Sequence, residues 1–143
     1  RRSLMDFDGI GAGGDNTTCG RDLAQVMVSL RVREALPVAE TKAALDLLAE
    51  QQFLDGLPAL LPERIWHANK TGELPGVRHD MALVEHEGRW AAVAVTATAL
   101  MGPTDGVDRG STVLPTFASI GAAAGDWLSD RGRTDVPPGP HRP

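Results

Sequence analysis

Lysine is nearly missing from this chain. Of 143 residues only Lys42 and Lys70 are lysines, so almost all the positive charge is arginine. With a formal net charge of −5, the chain has no basic surface suited to nucleic acid or to an anionic membrane. A single cysteine, Cys19, excludes an internal disulfide and leaves the fold to rest on packing. No apolar run approaches the roughly 20 residues that a membrane-spanning helix requires. Histidine is sparse, and His67, His79 and His86 fall in no His-x-x-x-His or Cys/His cluster, so neither a metal nor any other cofactor is expected. Ser111 and Ser119 lack the Gly-x-Ser-x-Gly setting of a nucleophile elbow. Gly9-Ile10-Gly11-Ala12-Gly13-Gly14 matches a dinucleotide fingerprint by letter. The polar run Arg1 to Asp6 before it is not the apolar strand that fingerprint needs, and the match is discounted.

What remains is enough for one domain with a real core. Asn16-Thr17-Thr18 followed by Leu23, Val26, Met27 and Leu30 predicts a capped amphipathic helix. Pro37 can open a second helix over 38–52, with Ala44, Leu45, Leu47, Leu48 and Ala49 as its apolar set. A short element over 54–61 leads across Pro62 to the most informative stretch, 65–98. There Ile65-Trp66-His67-Ala68-Asn69 runs into Lys70-Thr71-Gly72 and a turn at Glu73-Leu74-Pro75-Gly76. Two apolar runs follow, 77–85 and 89–98, split by Glu87-Gly88. This predicts a three-strand antiparallel meander with Lys-Thr-Gly closing its first strand. A Gly/Asp-rich loop occupies 101–111. Pro115 opens a last helix with Phe117, Ile120, Ala124, Trp127 and Leu128 roughly on one face. Residues 131–143 form a Pro-rich tail, expected to be disordered.

Lys70-Thr71-Gly72, then Gly76, Asp80 and the apolar Met81-Ala82-Leu83-Val84, resembles the third signature of the serine β-lactamase and penicillin-binding-protein family. Asn16-Thr17-Thr18 resembles that family's entry into a helix after its active-site loop. The resemblance implies an α/β (α+β) fold, an antiparallel sheet flanked by helices of β-lactamase/transpeptidase type. It also implies that 1–130 is the C-terminal portion of such a domain, since Ser-x-x-Lys is not found here: Ala39 and His67 stand three before the two lysines. The abundance of Ala, Gly and Arg fits a high-GC bacterial genome, while the compartment stays open because the chain begins at Arg1.

By the same resemblance, a serine in the missing N-terminal half attacks a carbonyl and forms an acyl-enzyme. The catalytic candidates are Lys70, Thr71 and Gly72. Lys70 brings positive charge to the substrate carboxylate and the second-motif serine, the Thr71 hydroxyl bonds that carboxylate, and Gly72 permits close approach. Two substrate-binding candidates join them: Glu73, through its backbone N–H in an oxyanion hole, and Arg78, which grips the carboxylate. The substrate is expected to be a β-lactam, a D-Ala-D-Ala-type peptide or a small ester. In class A β-lactamases a loop Glu activates the deacylating water. The corresponding residues 1–15 contain no Glu, and Asp6 and Asp8, of shorter reach, are the only candidates in its place, so slow deacylation is expected. The alternative is a non-catalytic binding module that keeps the sheet and has lost the reaction.

Overall fold

The computed structural model describes residues 17–130. The expectations for Asp6, Asp8, the Gly-rich stretch and the Pro-rich tail fall outside the described residues. In order, the elements are α1 (Gly20–Arg31), α2 (Val38–Ala49), a 3-10 turn (Leu57–Leu60), β1 (Trp66–Leu74), β2 (Val77–His86), β3 (Arg89–Ala97), a second 3-10 turn (Gly110–Val113) and α3 (Leu114–Ser129). The strands form one antiparallel sheet in the order β1-β2-β3. No helix among the described residues is long and apolar enough to cross a membrane.

The central strand β2 is covered on both faces, and the alternation of its side chains divides the core in two. Ala82 and Val84 pack with Leu57, Ile65 and Leu128, joined by Val93, Val95 and Ala124, under α3 and the first 3-10 turn. Leu83 packs with Met27 and Leu30, joined by Met81, Leu45, Leu48 and Trp90, under α1 and α2. A one-residue slip in register would exchange the two sets and break both clusters.

Tight turns hold that register. Glu87 and Gly88 have φ of 49° and 79°, the paired positive values of a type I′ hairpin. Leu74 pairs with Val77, so the β1–β2 turn is Pro75-Gly76, with Gly76 at φ 76°. Pro then Gly in this order suits a type II turn. The turn therefore sits one residue later than expected, and Lys70-Thr71-Gly72 lies inside β1, with Glu73 and Leu74 still paired beyond it.

The helices depart from expectation at their ends and faces. Cys19, not Asn16, is the N-cap of α1, and the Asp22 carboxylate accepts the Cys19 N–H at 3.3 Å. Helix α2 stops at Ala49, and Leu47, expected in its apolar set, is 71% exposed. In α3 the expected Ile120 and Trp127 are exposed, while Phe117, Ala118, Gly121, Gly125 and Leu128 are buried. The reason is close approach. A Cβ on Gly121 would lie 1.9 Å from the Leu57 carbonyl oxygen, so the absence of side chains, rather than apolar volume, selects the buried face. Arg89 completes the docking of α3. It donates to the carbonyls of Trp127, Leu128 and Asp130 at 3.0–3.2 Å and stacks on the Trp127 ring at 4.8 Å, favourable for a cation at a helix C-terminus.

One buried acid ties the first 3-10 turn to the sheet. Asp80 is 1% exposed; its carboxylate accepts the Leu57 N–H at 2.8 Å and the Asn69 amide at 3.4 Å. Gly56 leaves room for it, since a Cβ there would come within 2.5 Å of Asp80 Oδ2.

Two outcomes test this packing. Gly121→Ala should lower the unfolding free energy by about 1–3 kcal/mol or more, read as a lower urea midpoint. An unchanged midpoint would contradict the close approach. Burial raises the Asp80 carboxyl above its ordinary 3.8, partly offset by the hydrogen bonds from Leu57 and Asn69. Its contribution to stability is therefore full below that value and is lost as pH rises through the folded pKa. Asp80→Asn cannot ionise. The stability of the variant relative to the parent should thus rise between about pH 3 and about pH 7, whatever constant offset the amide brings. A relative stability that stays flat or falls over that range would show that Asp80 does not titrate in this way.

Candidate active site

Among the described residues β1 pairs with β2 alone, and residues of both strands line a cavity of about 380 Å³. Lys70, Thr71, Gly72, Glu73 and Arg78 all line it. The register explains the gathering: Thr71 pairs with Asp80, Gly72 with His79 and Glu73 with Arg78. Lys70 and Thr71 alternate in direction along β1, and both line the cavity. Phe53, Asp55 and Gly56 close one side, and Ser111, Leu114 and Phe117 close another.

The charges differ in how they are held. The Lys70 ammonium is exposed and donates to the Thr71 carbonyl; among the described residues it meets no carboxylate at ion-pair distance. Arg78 is the opposite case. Its side chain is only 16% exposed, 3.5 Å from the Glu73 carboxylate and 3.6 Å from that of Asp108. It also donates to the carbonyls of Leu74 and Val77 at 3.3 and 3.1 Å. Its guanidinium lies against Gly110, where a Cβ would come within 2.6 Å. Asp108 in turn accepts the N–H of Gly110 at 2.8 Å and of Gly76 at 3.3 Å. These two donors, with Arg78, hold the Asp108 carboxyl below its usual value. Arg78 and Asp108 thus fasten the loop before α3 to the β1–β2 turn.

Two buried polar atoms, Asn69 Oδ1 and His79 Nδ1, have no hydrogen-bond partner among the described residues. Nor do any three His, Cys, Asp or Glu side chains among those residues come together as a metal site. His79 and Asp80 are neighbours on β2 and point to opposite faces, as adjacent strand residues must.

Sequence reasoning did not find Phe53, Asp55 or Asp108. The first two precede the 3-10 turn with no motif around them, and long-range hydrogen bonds bring that segment to β1 and β2: Leu57 N–H to Asp80 and the Asn69 amide to the Phe53 carbonyl. Asp108 lies in a loop that reads as generic Gly/Asp surface chain; the bridge between Met101 and Asp108 orders it.

Comparison with known proteins places this geometry. A model of the beta-lactamase enzyme family matches residues 1–128. No curated protein matches the chain. Among solved structures, a beta lactamase from Burkholderia vietnamiensis superposes with a TM-score of 0.66 at 20% identity, over 80% of this chain and 42% of that one. PBP-A superposes with a TM-score of 0.66 at 25% identity, over 90% of this chain and 44% of that one. A PBP-A mutant solved as an acyl-enzyme complex with penicillin-G gives 0.64 at 26% identity, over 82% and 42%. The chain therefore spans between 42% and 44% of the length of these structures. With its fold and a match over nearly its whole length in agreement, the chain belongs to the beta-lactamase enzyme family.

Proposed function

We propose that this chain forms the sheet wall of a serine acyl-transfer site and that residues 1–130 are the C-terminal portion of the domain. The nucleophile comes from an N-terminal half carrying Ser-x-x-Lys. One observation carries the reading: all five residues singled out from the sequence line one cavity. The recorded acyl-enzyme of PBP-A with penicillin-G supports it by likeness.

In this reading Lys70 supplies positive charge where an anion develops or arrives, and it favours proton movement from the attacking serine toward the leaving group. The Thr71 hydroxyl donates to the substrate. Gly72 leaves the edge backbone open to the acyl donor. The Glu73 N–H is an oxyanion donor, and loss of one such donor costs on the order of 10²–10³ in rate. Arg78 sets the local field and holds the loop before α3, and through both it shapes the carboxylate subsite. The substrate is a β-lactam, a D-Ala-D-Ala-type peptide or a small ester, and deacylation is slow.

The test joins this chain to its N-terminal half, as one protein or as two chains. It is incubated with a fluorescent penicillin and with an activated ester, and intact mass is followed in time. An adduct is expected to accumulate, and Lys70→Ala should abolish it. Glu73→Ala, which keeps the backbone N–H, should retain it. No adduct and no turnover with either compound would leave the binding module as the better reading.

A further inference from the structure

Glu73 and Arg78 have separate roles in the reading above, yet their side chains meet. They stand opposite each other on β1 and β2, so the residue whose N–H is the oxyanion donor also sends a carboxylate to the cation of the carboxylate subsite. The contacts of the guanidinium divide by atom. Nη1 donates to the carbonyls of Leu74 and Val77. The other edge faces carboxylates: Glu73 Oε2 lies 3.5 Å from Nε, and Asp108 Oδ2 lies 3.6 Å from Nη2. Nε and Nη2 together form the fork that a carboxylate engages through two parallel N–H bonds.

The two carboxylates on that fork are held differently. Asp108 accepts the N–H of Gly110 at 2.8 Å and of Gly76 at 3.3 Å, which fixes it to both the loop and the turn. Glu73 touches Arg78 at a separation longer than the roughly 2.7–3.2 Å usual for an N–H···O bond, and its side chain is 70% exposed against 34% for Asp108. Arg78 is itself only 16% exposed, and a guanidinium so covered is costly to leave unmatched. Glu73 helps to match it in a way that an arriving carboxylate can take over. As one carboxylate leaves Nε and another arrives, the charge around the guanidinium stays the same.

We propose that the Glu73 carboxylate is a stand-in for the carboxylate of the substrate: it occupies the Nε side of Arg78 in the empty site and is displaced when a carboxylate-bearing acyl donor binds. The inference rests on the serine acyl-transfer reading and deepens it, because it makes Glu73 a specificity-determining residue as well as an oxyanion donor. A donor with a carboxylate competes against one tethered to the protein, whereas a donor without one leaves the Glu73–Arg78 pair intact. Glu73 therefore lowers the preference for carboxylate-bearing donors without reversing it, an opposition aimed at one class of ligand.

The experiment uses the two joined halves and two activated esters whose leaving groups differ only in ending in a carboxylate or a carboxamide. The quantity read is the ratio of second-order acylation rates, carboxylate over carboxamide, which is blind to a general loss of activity. The parent should favour the carboxylate. Glu73→Gln, which keeps the backbone N–H and the size of the side chain, should raise the ratio by about twofold to fivefold, the scale of an exposed ion pair. In an Arg78→Gln background the same substitution should move the ratio less, because no guanidinium is released. An equal rise in both backgrounds would mean plain repulsion by Glu73 and would overturn the exchange. A crystal structure of the parent acylated by penicillin, whose carboxylate stays on the adduct after ring opening, reads the same point without any variant. Glu73 should have left Arg78 with the penicillin carboxylate in its place, and a Glu73 still paired with Arg78 in that adduct would overturn the inference. So would a ratio below one in the parent, or one that Glu73→Gln leaves unchanged, while the serine hydrolase reading stands. Acylation by neither ester nor penicillin would overturn both.

Discussion

The Asp80 carboxylate is held inside the sheet with almost no contact with water, and two separate parts of the chain, the first 3-10 turn and β1, are arranged around it. It accepts the N–H of Leu57 at the start of a 3-10 turn and the amide of Asn69 on the neighbouring strand, and it stands opposite Thr71 across the ladder. A buried carboxylate is tolerated only where such donors offset its lost hydration. The segment that leads into the 3-10 turn is thereby fixed against the sheet, and Phe53 and Asp55 are carried to one side of the cavity with it. The buried acid, together with the Asn69 amide that donates to the Phe53 carbonyl at 3.4 Å, thus anchors this stretch of chain and sets which of its side chains line the cavity.

A second constraint comes from the doubly covered central strand. Because β2 is buried on both faces, its register cannot slip without exposing one core and filling the other with polar groups. The Pro75-Gly76 and Glu87-Gly88 turns fix the neighbours to that register from either end. The pairings of Thr71 with Asp80 and Glu73 with Arg78 follow from it directly. Stability of the core and placement of the site are consequently the same requirement.

Much of this could be read before the structure was in hand, and the reasons are local. Turn residues at Pro75-Gly76 and Glu87-Gly88 delimit the strands by backbone geometry alone, and β-branched runs between them have no helical period. The cavity residues of β1 were legible because they are contiguous. What escaped is non-local. Asn16-Thr17-Thr18 has the chemistry of a cap, yet α1 begins after Cys19, where Asp22 supplies the carboxylate instead. The buried face of α3 is set by glycines pressed against Leu57 and Leu61, so counting apolar side chains chose Ile120 and Trp127, which are exposed. Arg78 was recognisable as a charge near the site, but its tie to Asp108 depends on a loop some thirty residues away.

The disposition of charge along β1 then shapes what the wall can do. A cation tied to two carboxylates and two carbonyls is a structural fastening with a weak outward field while its donors point at partners within the chain. A cation such as Lys70, exposed and flexible, remains able to follow charge as it develops, at the cost of side-chain order when it does so. The structure contains one of each within a single ladder, Arg78 on β2 and Lys70 on β1. Rigidity is thereby placed at the turn and loop beside the cavity, and adaptability at Lys70 on the neighbouring strand.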